Sequence, residues 1–242
     1  QLAVSYAMAE NIFAVTQTTP GLPPRLDVID GTRLETSRYA KETSPDDRGA
    51  QIRVSCGAPV FGTEIRVVAD DGHILADRNT GEIAIRSDYL FSGYHRRPDI
   101  EPFIDGWFMT GDMGYLADGE LFVVGRRKDL IINAGKNIYP ADIEVIINQV
   151  SGVIPGRAVV FGVADEREGT ELVAAVAEVI TQDEGERRAI GRAIRQAVAS
   201  QSLVTLGYIH LVEPKWLLKT SSGKIVRGAN RDKWLRETSR NL

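Results

Sequence analysis

In Glu64-Ile65-Arg66-Val67-Val68 and in Glu82-Ile83-Ala84-Ile85-Arg86 polar and apolar side chains alternate, the two-residue period of a strand with one buried face. Tight-turn residues punctuate the same half of the chain. Asp70-Asp71-Gly72 is one such group, and Asp118-Gly119 lies between two apolar runs, where a hairpin loop is expected. Residues 20 to 50 are rich in Pro, Gly, Ser and charge and are read as a long surface loop. The first half is therefore expected to be a mostly antiparallel β unit.

After Arg127 the pattern changes. A strand at Leu130-Ile131-Ile132 leads through Gly135 and Pro140 to a helix expected over about residues 141–150. The β-rich run Ala158-Val159-Val160-Phe161 and the apolar run from Leu172 to Ile180 predict two more strands. A helix is predicted from Gly185 to Ser200, because Ile190, Ile194, Ala197 and Val198 fall on one face. A strand at Ile209-His210-Leu211-Val212 and a helix near Gly228–Arg236 follow. The fold class is α+β, with a boundary near Lys128 that divides residues 1–127 from 128–242. No internal repeat or low-complexity tract interrupts the pattern.

Composition narrows the function classes. The 242 residues, 43% hydrophobic and 26% charged, suit one large or two small globular domains. A formal charge of −4 gives no support to nucleic-acid binding or to a membrane-surface role. The charge is uneven, with 13 basic and 19 acidic residues up to Arg127 against 16 and 14 after it. From Glu213 onward eight basic residues face three acidic ones, a tail that either meets an anion such as a nucleotide phosphate or is simply solvated. Cys56 is the sole cysteine, which excludes an intrachain disulfide and fits a reducing cytoplasm. No apolar run reaches the roughly 20 residues that span a bilayer, so stable membrane insertion is not expected. Gln1-Leu2-Ala3-Val4 lacks the basic region of a signal peptide and reads as cut from something longer. His73, His95 and His210 are scattered without metal-ligand spacing and receive no role; His210 is placed on the solvent side of its strand.

Three short runs carry chemistry: Phe108-Met109-Thr110-Gly111-Asp112, Gly125-Arg126-Arg127-Lys128-Asp129, and Lys219-Thr220-Ser221-Ser222-Gly223-Lys224-Ile225. The last is not a P-loop, because Leu218 stands where that motif needs its first glycine. In this order the three runs resemble the nucleotide machinery of adenylate-forming enzymes: acyl-CoA ligases, fatty acyl-AMP ligases, peptide-synthetase adenylation domains and luciferases. The resemblance covers almost the whole chain. It implies the C-terminal β-rich subdomain of a large adenylation domain followed by a small α+β lid domain.

The same resemblance implies roles for individual residues. Tyr6-Ala7-Met8-Ala9-Glu10 matches a Tyr-Gly-x-Thr-Glu segment whose tyrosine stacks on adenine and whose glutamate helps hold Mg²⁺. Here Ala7 and Ala9 replace the glycine and the threonine. Asp112 matches the aspartate that accepts both ribose hydroxyls, and Arg126 an arginine that also reaches the ribose. Lys128 matches a hinge, and Gly135 to Pro140 a glycine-rich loop beyond it; Glu144 is expected to have a structural job in the next helix. Trp107 and Phe108 are expected in the core. Lys224 is the expected catalytic residue, an ammonium placed to offset charge as a carboxylate attacks the α-phosphorus of ATP.

The implied reaction converts a carboxylate and Mg·ATP to acyl-AMP and pyrophosphate, after which the acyl group passes to a phosphopantetheine thiol. Tyr6-x-Met8-Ala9-Glu10-Asn11, Tyr139-Pro140-x-Asp142-Ile143-Glu144 and the long segment before Val54-Ser55-Cys56-Gly57 tilt toward a fatty acyl-AMP ligase that serves an acyl carrier protein. A fatty acyl-CoA ligase is the alternative. A non-catalytic module that complements another chain is the second. The family's phosphate-gripping loop and most of its fatty-acid pocket are not among these residues. The missing N-terminal portion is thus an expected partner, and the isolated chain is expected to be inactive.

Overall fold

The computed structural model describes residues 3–97, 99–165 and 169–238. The chain divides into two compact units, Gln1–Lys128 and Asp129–Leu242.

In the first unit, β1 (Ser5–Ala7) and β2 (Ala14–Gln17) pair antiparallel. Next come β3 (Leu26–Asp30), the helix α1 (Gly31–Ser37), β4 (Ala50–Val54) and β5 (Ala58–Pro59), with β3 paired to β4 and β5 joined to β2. The largest sheet is antiparallel: β6 (Thr63–Val68), β7 (Gly81–Ser87), β8 (Phe103–Ile104), β9 (Trp107–Ala117) and β10 (Glu120–Arg126), in the order β10-β9-β7-β6 with β8 on β9. The β9–β10 loop is Asp118-Gly119 as expected. Both residues take positive φ, 51° and 78°, the geometry that matches the twist of the flanking strands. Val15, Ile83, Ile85, Phe108 and Leu121 form the core above this sheet.

Two expectations fail here. Residues 20–50 are not one surface loop, because Leu26-Asp27-Val28-Ile29 alternates and carries Ile29 inward to zero exposure. Asp30 caps α1 by accepting from the Arg33 N–H at 3.2 Å, and Leu34 is fully buried. Polar residues hid the segment because one of them is an inward-facing carboxylate. Asp27, 4% exposed, accepts from the Tyr115 hydroxyl at 2.8 Å and pairs with Arg78 at 3.1 Å. Asp27→Ala should therefore destabilise the chain by about 3 kcal/mol, since it leaves the buried Tyr115 hydroxyl without its acceptor and takes the buried carboxylate from Arg78, which keeps only exposed Glu42 and the Ala40 carbonyl. A fall in the urea midpoint at unchanged slope would measure it, and an unchanged midpoint would refute it. Trp107, in turn, is not core like Phe108. The Arg66 and Arg86 guanidinium groups both lie over its half-buried ring, 4.2 and 4.8 Å from its centroid.

The second unit opens with the hairpin β11 (Ile131–Asn133) and β12 (Lys136–Ile138), then α2 (Pro140–Asn148). β13 (Val153–Asp165), β14 (Thr170–Val179) and β15 (Leu206–Val212) form a sheet, with α3 (Glu184–Gln201) crossing between the parallel pair β14 and β15. The helix α4 (Arg227–Thr238) follows. Alternation along the strands sorts the core into two layers. Ala158, Val160, Val173, Ala175 and Ala177 face α2 and α3, whereas Val159, Phe161, Ala174 and Val176 face Trp234 of α4. His210 departs from its expected solvent position. It is half-buried with its ring 6.3 Å from that of Trp216, and burial pulls its pKa down. No helix among the described residues is long and apolar enough to cross a membrane.

Candidate active site

The register of β9 and β10 builds the first cluster. An irregularity between Val123 and Gly125 shifts the pairing so that Arg126 stands opposite Asp112. Asp112, 8% exposed, accepts at Oδ2 from the Tyr6 hydroxyl at 2.6 Å and at Oδ1 faces Arg126 Nε at 2.9 Å. Three of the residues predicted to hold nucleotide thus meet at one carboxylate, although Tyr6 and Asp112 are 106 positions apart. The Tyr6 hydroxyl is held far above the ordinary phenol range, first by burial and then by the Asp112 charge, so it stays a donor. Arg126 is exposed and free to turn toward a ligand.

The turn that presents Asp112 has its own supports. Gly111 takes φ +71° with nothing near its missing Cβ, so the backbone angle, not a close approach, requires the glycine. Thr110 Oγ1 donates to the Ile83 carbonyl at 2.8 Å and accepts from the Asp112 N–H at 3.1 Å. The Gly111 N–H donates to buried Glu82 at 3.0 Å, and the other Glu82 oxygen binds Arg127 at 2.6 Å. In the sequence Glu82 is only a polar position in an alternating strand.

Glu10 lies in a short 3₁₀ turn and accepts at Oε1 from the Tyr94 hydroxyl at 2.9 Å. The Phe91 N–H donates to the Glu10 carbonyl at 2.9 Å, so the loop that carries Tyr94 is tied to the same residue. Burial and the Glu10 carboxylate raise the Tyr94 pKa, while the positive charge of Arg126 opposes them. A carboxylate with one oxygen engaged by a phenol suits Mg²⁺, which takes one or two carboxylates alongside substrate phosphates. Among the described residues no group of three acidic, His or Cys side chains could enclose a metal.

Lys128 is exposed within a 3₁₀ turn, Arg127–Asp129, and the division between the two units falls immediately after it. In the second unit Ala134 and Gly135 form a two-residue hairpin loop with φ of 48° and 76°. Thr170 and Glu171 hold that hairpin, accepting from the N–H groups of Ala134 and Ile132, both at 2.8 Å.

Lys224 stands exposed in a looped-out turn closed by the bridge between Lys219 and Ile225. The Thr220 N–H donates to the Lys224 carbonyl at 2.8 Å, the Lys224 N–H to Thr220 Oγ1 at 3.1 Å, and Gly223 takes φ +85°. Fully buried Asn230 grips the root of this turn. Its Oδ1 accepts from the Leu218 N–H at 2.8 Å, and its amide donates to the Leu218 and Val226 carbonyls at 3.0 and 2.9 Å. No local pattern marked Asn230, Glu82 or Tyr94. The only trace of Tyr94 was an aromatic run from Tyr89 to Tyr94.

Residues 1–95 match the profile of the AMP-binding enzyme family. A Caulobacter vibrioides chain that carries the name acyl-CoA synthetase is 32% identical over 97% of this chain and 41% of its own length. The 4-hydroxyphenylalkanoate adenylyltransferase of Mycobacterium bovis is 32% identical over 96% of this chain and 39% of its own. Among solved structures, one from work on fatty acyl-adenylate ligases of E. coli and L. pneumophila superposes with a TM-score of 0.88 at 31% identity, over 99% of this chain and 43% of that one. The chain thus spans about 40% of the length of the relatives it matches.

Proposed function

We propose that this chain, a member of the AMP-binding, adenylate-forming enzymes, is the C-terminal portion of a ligase that activates a carboxylic acid, a fatty acid by preference, as acyl-AMP. The observation that carries this reading is the convergence of Tyr6 and Arg126 on Asp112. A carboxylate whose two oxygens accept from separate donors is arranged to accept from the two hydroxyls of a ribose, with the Tyr6 ring alongside for adenine. Arg126 can exchange its bond to Asp112 for a ligand oxygen at little cost, because its side chain is 57% exposed.

In this reading Asp112, Arg126 and Tyr6 bind and orient the nucleoside of ATP, and Glu10 holds Mg²⁺. When bound, that ion offsets phosphate charge. A carboxylate oxygen of the acid forms a bond to the α-phosphorus, and the bond from that phosphorus to the bridging oxygen of pyrophosphate breaks, with the electron pair leaving on pyrophosphate. Lys224 donates to the oxygens on which negative charge gathers. Residues 128–242 act as a lid, and rotation at Lys128 then removes Lys224 and admits a thiol. The thiol attacks the acyl carbonyl, AMP leaves, and a thioester remains. The phosphopantetheine of an acyl carrier protein is our preferred acceptor, on the strength of the resemblance to a fatty acyl-adenylate ligase over 99% of the chain.

The test is the product that the whole enzyme makes from dodecanoate, ATP and Mg²⁺, with 4-hydroxyphenylalkanoates as competing acids because a relative is named for them. Acyl-AMP that persists in the presence of CoA and is consumed by a holo-carrier protein is the expected result. Conversion to acyl-CoA would replace the carrier protein with CoA. Absence of carboxylate-dependent pyrophosphate exchange with every acid would overturn the ligase reading. The isolated 242 residues are expected to catalyse no such exchange.

A further inference from the structure

The first residue of α4 makes more contacts than its place at a helix start requires. Arg227 donates from NH2 to both oxygens of Glu144, at 2.8 and 3.0 Å, and from NH1 to Asp129. Its Nε donates to the Val160 carbonyl at 2.8 Å, while the Val160 N–H donates to Glu144 at 2.8 Å. β13 is an edge strand, so the guanidinium–carboxylate pair covers both open backbone groups of Val160. Arg227, Asp129 and Glu144 have side chains only 18–21% exposed. Burial tends to raise the Glu144 pKa, and the Arg227 charge and its hydrogen bonds oppose that.

What Arg227 joins is more telling than how tightly. Asp129 directly follows Lys128, and Arg227 comes three residues after Lys224. The Lys224 turn is therefore held at both ends: by Asn230 at Leu218, and by Arg227 to the residue that begins the second unit. From this geometry we propose that Arg227 is a positioning residue that couples Lys224 to the hinge. When the chain turns at Lys128, the Lys224 turn moves with Asp129 as one body instead of lagging on a flexible tether. The proposal rests on the ligase reading given above, in which Lys224 acts in adenylation. Lysine could not replace this arginine, because the site uses a planar fork that meets two carboxylates and a carbonyl at once.

The experiment is a double-mutant cycle in the whole enzyme with R227M and K224A, read by carboxylate-dependent pyrophosphate exchange and by thiol transfer from preformed acyl-AMP. R227M should lower the adenylation kcat about tenfold, as a displaced reacting group does, with the KM for ATP unchanged. R227K should recover little of this. In a K224A background R227M should cost nothing further, and thiol transfer should stay within about twofold in both variants. Losses that multiply in the K224A background would overturn the proposal, because Arg227 would then act elsewhere. Unchanged kcat in a folded R227M would overturn it as well. If K224A itself is harmless, Lys224 does not act in adenylation and the proposal falls with it, whereas the ligase reading falls only if the unaltered enzyme shows no carboxylate-dependent pyrophosphate exchange. Should R227M fail to fold, D129N removes one partner alone. Its loss of about threefold should likewise vanish in the K224A background, and a loss that persists there would overturn the coupling.

Discussion

Replacing Lys224 with alanine in the whole enzyme is expected to lower the rate of acyl-adenylate formation by about 10²–10³, the range seen when one donor to developing charge is removed. The fold should not notice. Lys224 is exposed, and the bonds that close its turn come from main chain and from Thr220 Oγ1, all of which alanine retains. An exposed substitution of this kind changes stability by no more than about 0.5 kcal/mol. The loss should therefore appear in kcat for pyrophosphate exchange with an unchanged melting temperature. K224R should be poor too, because a guanidinium is wider and places its charge differently from a compact ammonium. The discriminating control is the second half-reaction, thiol transfer from preformed acyl-AMP, in which Lys224 is proposed to have left the site. Equal damage to both half-reactions would show that Lys224 supports the fold or the acceptor instead, and no damage to either would end its candidacy.

How much of this was legible in the sequence depends on how far apart the partners lie. Strands such as Glu82–Arg86 and the Asp118-Gly119 loop declare themselves locally, because period and turn chemistry are short-range signals. Helix α3 was predicted to within a residue at each end, since its apolar face repeats; in the structure its start is fixed by Asp183, which accepts from the Glu186 N–H at 2.8 Å. Tyr6, Asp112 and Arg126 could be named only through the order of motifs. Their meeting depends on a pairing shift in β10 and on contact across 106 positions. The supports of the site left no mark. Glu82 lies 29 positions from Gly111, Tyr94 lies 84 from Glu10, and Arg227 lies 83 from Glu144. Each reads in sequence as an ordinary polar or aromatic position. The reading of residues 20–50 failed because composition treats Asp27 as a solvent residue, whereas the fold gives it Tyr115 and Arg78 as partners.

Asp112→Ala should damage nucleotide use more than any other change in the first unit. The carboxylate is proposed to make two charge-assisted hydrogen bonds to the ribose, each contributing about 1.5–3 kcal/mol, so kcat/KM for ATP should fall by about 10² or more. The structural cost is smaller. Arg126 is exposed and regains water, and the Tyr6 hydroxyl loses its acceptor in a half-buried place, a penalty of about 1–3 kcal/mol. Tyr6→Phe removes a single bond and keeps the carboxylate, so it should cost about tenfold, and in the D112A background it should cost nothing further. Substrate analogues separate binding from general disruption. The unaltered enzyme should prefer ATP to 2′-deoxy-ATP, because the deoxy analogue lacks one of the two hydroxyls from which Asp112 is proposed to accept. In D112A both nucleotides meet the same empty place, and the preference should collapse toward unity as the rate with ATP falls to that with the analogue. If D112A keeps the full preference for ATP, the ribose is recognised elsewhere, and the convergence of Tyr6 and Arg126 on Asp112 is a structural knot without a nucleotide to hold.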